Sequence, residues 1–204
     1  MKISILGGTK LASTLGNKLL SANQTVVFGV REDFVIKEIE WKILNMYLDK
    51  IFSYETAIEM SDVVLICCEN EHLPRVSEAL AISDLGNKII IDCTNGAYTA
   101  EFCPNTTLIK RSIGEHKLFK AFNNLGIDYP KSDPMGLVNE SYYCGPDSTE
   151  KAMVKRIIEW VGFKPVDAGE IENAMLLEAF YHLRKTISFQ KAERMNYHFK
   201  LISV

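Results

Sequence analysis

The stretch that decides the fold is Met1–Ala12, MKISILGGTKLA. Ile3 to Leu6 read as an apolar strand that runs into Gly7, Gly8, Thr9, Lys10, Leu11 and Ala12, and helical spacing follows. A first strand, a glycine-bearing turn and a helix are the setting in which backbone amides cradle a pyrophosphate, with the fingerprint G-x-G-x-x-G/A. Gly7 holds the first position, Thr9 stands at the second and Ala12 at the third. The rival reading is a tight strand-to-helix turn that binds nothing. Thr9 is the point of difficulty, because the second glycine lets backbone approach the phosphates without an intervening Cβ. A threonine hydroxyl can replace a lost amide contact, and Lys10 adds charge. No G-x4-G-K-[ST] occurs, so a Walker-type loop is excluded.

Outward from this turn, short apolar runs alternate with helical stretches. Strands are expected at 2–6, 25–29, 50–52, 62–68, 88–93, 117–122, 141–145 and 164–169, and helices at about 10–22, 33–48, 54–60, 72–82, 148–161 and 170–184. Runs such as VVLIC and IIID are apolar on both faces, which calls for a sheet covered on both sides. The alternation predicts an α/β fold: a doubly wound, mostly parallel sheet with extra C-terminal strands and helices. Residues 95–115, with Gly96, Pro104 and Gly114, read as a loop, and YPKSDPMG (129–136) as another. The organisation expected is one domain over 1–184, including a short second-substrate appendage, followed by a tail at 185–204 of helical composition.

Composition narrows the function classes. With a net charge of -3 and a pI near 5.9, the chain offers no electrostatic case for nucleic acid. No apolar run reaches the roughly 18 residues that a membrane span needs, and the N-terminus does not read as a signal peptide. Five cysteines, with no CxxC pair, favour neither a zinc site nor a redox dithiol. The expected location is the reducing cytoplasm.

Ligands of such sheets bind at the carboxyl ends of the strands, near the point where strand order reverses. After the second strand the chain reads FGVRED, with Arg31 where an NAD enzyme carries an acidic residue for the ribose hydroxyls. A guanidinium suits a 2′-phosphate, so NADP is preferred over NAD; Glu32 and Asp33 compete for it, and the alternative is a solvated surface arginine. After the fourth strand come Cys67, Cys68, Glu69 and Asn70. The two thiols are expected to pack on opposite faces of the strand, without a disulfide between them. Asp92, Thr94 and Asn95 close the fifth strand, as caps or as ligand contacts.

Several stretches together resemble one family. DVVLICCENEHLPRV, NKIIIDCTNG, HKLFKAFNNLG and above all EWVGFKPVDAGEIENAMLLEAF are similar to segments of the F420-dependent NADP oxidoreductases, a family that includes the NADPH-binding domain of the STEAP metalloreductases. The resemblance covers about residues 1–184. It implies a Rossmann domain whose helical appendage helps form a second-substrate pocket. It further implies NADP(H) on the first turn, Arg31 at the 2′-phosphate, and Lys120 to Asn123 (KAFN, with Ala121 and Asn123) near the nicotinamide. The partner ring would be a flavin or the deazaflavin F420, or another small hydride acceptor or donor. No catalytic residue is implied, because the cofactors carry the chemistry. Residues 124–137, with Asn124, Pro134 and Met135, are expected to shape the acceptor pocket, and His182 to be structural rather than a proton donor. Three positions depart from the family: Thr9 where a glycine is usual, Val30 where Ser or Thr is frequent, and Gly96 where proline follows the DCTN turn.

Two other readings stand beside the reductase: a module that binds NADP(H) without turnover, motivated by the altered fingerprint, and a fold relic without nucleotide affinity. An imino-acid reductase is disfavoured on length, since too few residues follow for the helical dimerisation domain such enzymes need. Apolar helices such as AMLLEAFYHL nevertheless point to a homodimer.

Overall fold

The computed structural model describes residues 1–34, 49–99, 103–114, 116–123, 140–190 and 199. The first half builds β1 (Lys2–Leu6), α1 (Lys10–Ser21), β2 (Thr25–Gly29), β3 (Ile51–Phe52), α2 (Tyr54–Glu59), β4 (Val63–Ile66) and α3 (Leu73–Ile82). The second half adds β5 (Ile89–Asp92), α4 (Asn105–Ile113), β6 (Leu118–Lys120), β7 (Glu140–Tyr143), α5 (Thr149–Trp160), β8 (Lys164–Asp167) and α6 (Ala174–Phe189).

Six strands form one sheet in the order β3-β2-β1-β4-β5-β6, and every pairing in it is parallel. Strand order therefore reverses between β1 and β4, and the carboxyl ends of the strands at such a reversal are where ligands of open α/β sheets bind. Alternation along the strands sends side chains to two cores. Ile3, Ile5, Leu65, Cys67, Ile91 and Phe119 face α1 and α5, while Leu6, Val64, Ile66, Cys68, Ile90 and Leu118 face α2, α3 and α4. The both-faces-apolar runs are thus explained by helices on both sides, each fully buried Leu, Ile or Phe contributing about 1.5–3 kcal/mol. Cys67 and Cys68 do point to opposite faces, and all five cysteines are free.

The two C-terminal strands, β7 and β8, make a separate parallel pair. It joins the main sheet through an antiparallel bridge between Lys120 and Cys144, whose amides bond each other's carbonyls at 2.9 and 3.0 Å.

The segment 95–115 is not all loop, because α4 occupies Asn105–Ile113. Pro104 and Gly114 bracket this helix rather than break it: Pro104 stands at its N-cap, and Gly114, at φ 65°, closes its C-terminus. Ile109 and Ile113, four residues apart, bury one face. β4 and β6 are shorter than the apolar runs that announced them, so Cys67, Cys68, Ala121 and Phe122 lie just past strand ends. Most of the helix expected at 33–48 and the loop at 129–136 lie outside the described residues. α6 continues past residue 184 to Phe189.

Candidate functional site

The first turn is held open by backbone. Gly7 adopts φ 125°, and a Cβ there would lie 2.6 Å from Cys68 Cα and 2.7 Å from the Cys67 carbonyl oxygen, so only glycine lets β1 and β4 end side by side. Its own amide bonds the Gly29 carbonyl at 2.8 Å. Thr9 is the N-cap of α1. Its hydroxyl accepts from the Ala12 amide at 3.1 Å and donates to the Cys67 carbonyl at 2.7 Å. The side chain is therefore committed toward β4. The amides of Gly8, Thr9 and Leu11 have no acceptor among the described residues, and they stand at the positive end of the helix. Leu11 and Ala12 turn their side chains into the core.

The second strand end reaches the same turn. Arg31 donates through Nε to Asp33 at 2.8 Å, and its NH1 lies 3.1 Å from His72 Nε2 on the segment after β4. The competition foreseen from Asp33 is real. The guanidinium also lies over the Phe34 ring, 5.7 Å from its centroid. That ring in turn covers Gly8, where a Cβ would come within 2.2 Å of it. Glu69 and Glu71 flank His72, at 3.8 and 3.2 Å.

Across β5 and β6 the strand ends carry a buried polar network. Lys120 Nζ donates to Asp92 Oδ2 at 2.7 Å, to Glu178 Oε1 at 2.6 Å and to the Thr94 carbonyl at 2.8 Å, and all three charged side chains are fully buried. Asp92 also accepts from the Thr94 amide and hydroxyl and from the Thr106 hydroxyl, at 2.6–2.8 Å. Glu178 Oε2 accepts from the Gly96 amide at 2.6 Å. Burial alone would strip the proton from Lys120, but Asp92 and Glu178 outweigh it and hold the ammonium above its ordinary value. Burial pushes the Glu178 carboxyl up, with Lys120 opposing and Asp92 adding to the rise.

The network explains the departure at Gly96. A proline there would have no N–H to offer Glu178, and even a Cβ would lie 2.7 Å from the Cys103 carbonyl. Beside it, Asn95 and Asn123 form a reciprocal amide pair: Asn95 Nδ2 donates to the Asn123 carbonyl and Asn123 Nδ2 to Asn95 Oδ1, both at 3.0 Å. Asn123 Nδ2 also donates to the Leu177 carbonyl of α6 at 2.9 Å. Phe122, fully buried, adopts φ 62°, an uncommon conformation for a bulky residue, and it swings the chain out of β6 between Ala121 and Asn123.

The structure thus brings the turn and Cys67 together through Thr9, and Asn95 and Asn123 together through their amides. Arg31 joins the turn through Phe34. Ala121 is wholly buried, Cys67 and Cys68 nearly so, and Glu69 is exposed. Burial pushes the Cys68 thiol up to about 12 and Cys67 well above its ordinary value. Asn124, Pro134 and Met135 lie outside the described residues. His182 stacks near Tyr98, ring centroids 5.2 Å apart; burial lowers its pKa, opposed by a bond to the Gly96 backbone. The residue that sequence reasoning passed over is Glu178. Its only signal was an acid on an otherwise apolar helical face, AMLLEAF.

Residues 2–96 match the family described as NADP oxidoreductase, coenzyme F420-dependent. The rat metalloreductase STEAP3 is 23% identical over 87% of this chain and 36% of its own length. Mouse STEAP2 is 19% identical over 86% and 35%. The chain thus spans about a third of the length of these relatives. Among solved structures, a putative F420-dependent NADP reductase from Arthrobacter superposes with a TM-score of 0.76 at 20% identity, over 100% of both chains. An Aspergillus terreus imine reductase, in complex with NADPH4 and dibenz[c,e]azepine, gives a TM-score of 0.68 at 17% identity, covering 93% of this chain and 62% of that one. No described helix is long and apolar enough to cross a membrane.

Proposed function

Because residues 2–96 match the family described as NADP oxidoreductase, coenzyme F420-dependent, we propose that the chain passes hydride between NADP(H) and a flavin or deazaflavin ring. The observation that carries this reading is the commitment of Thr9. With its hydroxyl bonded to Ala12 and Cys67, the altered fingerprint still presents free amides at a helix N-terminus to a pyrophosphate.

Each strand end then has a task. Arg31 has five N–H donors, of which Nε meets Asp33 and one NH1 hydrogen reaches toward His72; about three remain for a 2′-phosphate. Gly7, Cys67 and Cys68 wall the crevice with backbone, the two thiols being packed in the cores on either side of the sheet. The Asn95–Asn123 pair and the Phe122 turn fix the edge where a nicotinamide amide would lie. Bound NADPH supplies the hydride itself, so the protein's work is alignment and exclusion of water. Lys120, Asp92 and Glu178 act from beneath, by fixing the 94–96 turn. No proton donor is required of His182.

Calorimetry with NADPH and NADH, followed by stopped-flow oxidation with FMN and F420, tests the proposal. NADPH should bind more tightly than NADH, and Arg31→Ala should abolish that difference. Equal affinities in the wild type would defeat the cofactor assignment. Tight NADPH binding with no oxidation by any acceptor would instead make the protein a dinucleotide sensor.

A further inference from the structure

The C-terminal half of α6 is built differently from its first half. The helix is anchored at the site by three residues: Leu177, whose carbonyl takes Asn123; Glu178, bonded to Lys120 and Gly96; and His182, against Gly96 and Tyr98. Beyond Glu178 no acidic residue follows through Phe189. Tyr181 sits beside His182, ring centroids 5.1 Å apart, and two cations flank it: the Arg184 guanidinium at 5.7 Å and the Lys185 ammonium at 5.9 Å from its ring centroid.

No carboxylate among the described residues pairs with either cation, and Arg184 Nε is buried without a hydrogen-bond partner. A half-buried guanidinium whose Nε lacks an acceptor is costly, since a buried polar group needs a hydrogen-bond partner, and burial holds its pKa below the ordinary value against the opposing effect of Tyr181. Leu177, Tyr181 and Arg184 follow i, i+4, i+7 spacing and so share one stripe. At 1.5 Å per residue the stripe carries Arg184 about 10 Å along the helix from the Asn123 contact. Two cations that rest on aromatic rings and have no carboxylate partner among the described residues, at that remove from the hydride-transfer edge, match a ligand with a flat ring at one end and a phosphate at the other.

We propose that Arg184, with Lys185 beside it, is the anion subsite of the second substrate and selects ring acceptors that carry a phosphate. This rests on the hydride-transfer reading above and adds what that reading leaves open, the chemical class of the acceptor. Arg184 offers a planar fork that meets two phosphate oxygens, and Lys185 adds a point charge.

The test uses FMN and riboflavin, which share a ring and differ in the phosphate. Binding is followed by flavin fluorescence, and hydride transfer separately by loss of NADPH absorbance. FMN should bind the wild type about ten- to a hundredfold more tightly than riboflavin, the worth of charge-assisted hydrogen bonds. Arg184→Met should reduce that ratio toward one and Arg184→Lys restore part of it, with the NADPH Kd unchanged in both. Equal binding of FMN and riboflavin by the wild type overturns the inference, even where both are reduced and the hydride-transfer reading stands. A weakened NADPH Kd in Arg184→Met also overturns it, by assigning the guanidinium to the dinucleotide. FMN selectivity without hydride transfer supports the subsite and defeats the reductase reading instead.

Discussion

Thr9 shows how one side chain settles a question that its identity alone leaves open. A threonine in a phosphate turn can contact the phosphate, obstruct it, or do neither. Here the single hydroxyl hydrogen is spent on the Cys67 carbonyl while one lone pair caps α1 through the Ala12 amide, so the side chain has no donor left for a phosphate. Thr9→Ala removes the cap and leaves the carbonyl without its donor, so it should lower stability by about 1–2 kcal/mol. Urea unfolding midpoints measure this, and an unchanged midpoint would mean that the cap carries no weight. The sequence displayed the capping residue and the helix start. It did not display the Cys67 partner, 58 residues away, since such a bond depends on how close β1 and β4 end. Arg31 was equally visible, and so was its rival Asp33; His72 was not.

At the scale of elements, the decisive unit is the seam where β5, β6 and α6 meet. Each of these was visible in outline from apolar periodicity, and their strand ends were the places to look for chemistry. The ion network was not, because Lys120 is one letter in an apolar run and its burial becomes evident only when Asp92 and Glu178 converge on it. The α4 helix was missed for a related reason: proline and glycine punctuate the chain, and punctuation marks the ends of a helix as readily as a loop. Removing one partner of a buried ion cluster strands the others. Lys120→Met should therefore cost about 3–5 kcal/mol in urea unfolding. Adding Glu178→Gln to it should recover part of the loss, since one of the two uncompensated charges goes. A double variant less stable than the single one would show that Glu178 acts through something other than Lys120.

For the whole molecule, pH acts through pairs that tie distant layers together. Lys117, just before β6, binds Glu150 in the first turn of α5 and holds its carboxyl down at about 2 from an ordinary 4.5. A depressed carboxyl contributes stability above its unfolded value and loses it as pH falls through the folded one. The difference in urea midpoint between wild type and Glu150→Gln should thus be widest above pH 4.5 and close between 4.5 and about 2. A gap that stays constant over that window would remove this pair from the acid response. Glu178 works in the opposite sense: its raised carboxyl favours the fold below the ordinary value and gives that up as pH rises through the folded one.

The seam also has a consequence for the order in which the molecule is made. Gly96 waits for a carboxylate 82 residues further along the chain, and Lys120 for one 58 residues further. A nascent chain can lay down β1 to β6 and their covering helices while the 94–96 turn still lacks its anchor. The seam where the β5 and β6 ends meet α6 is then the last part of the molecule to set. A chain interrupted before α6 would carry the whole parallel sheet and an unfinished place to work.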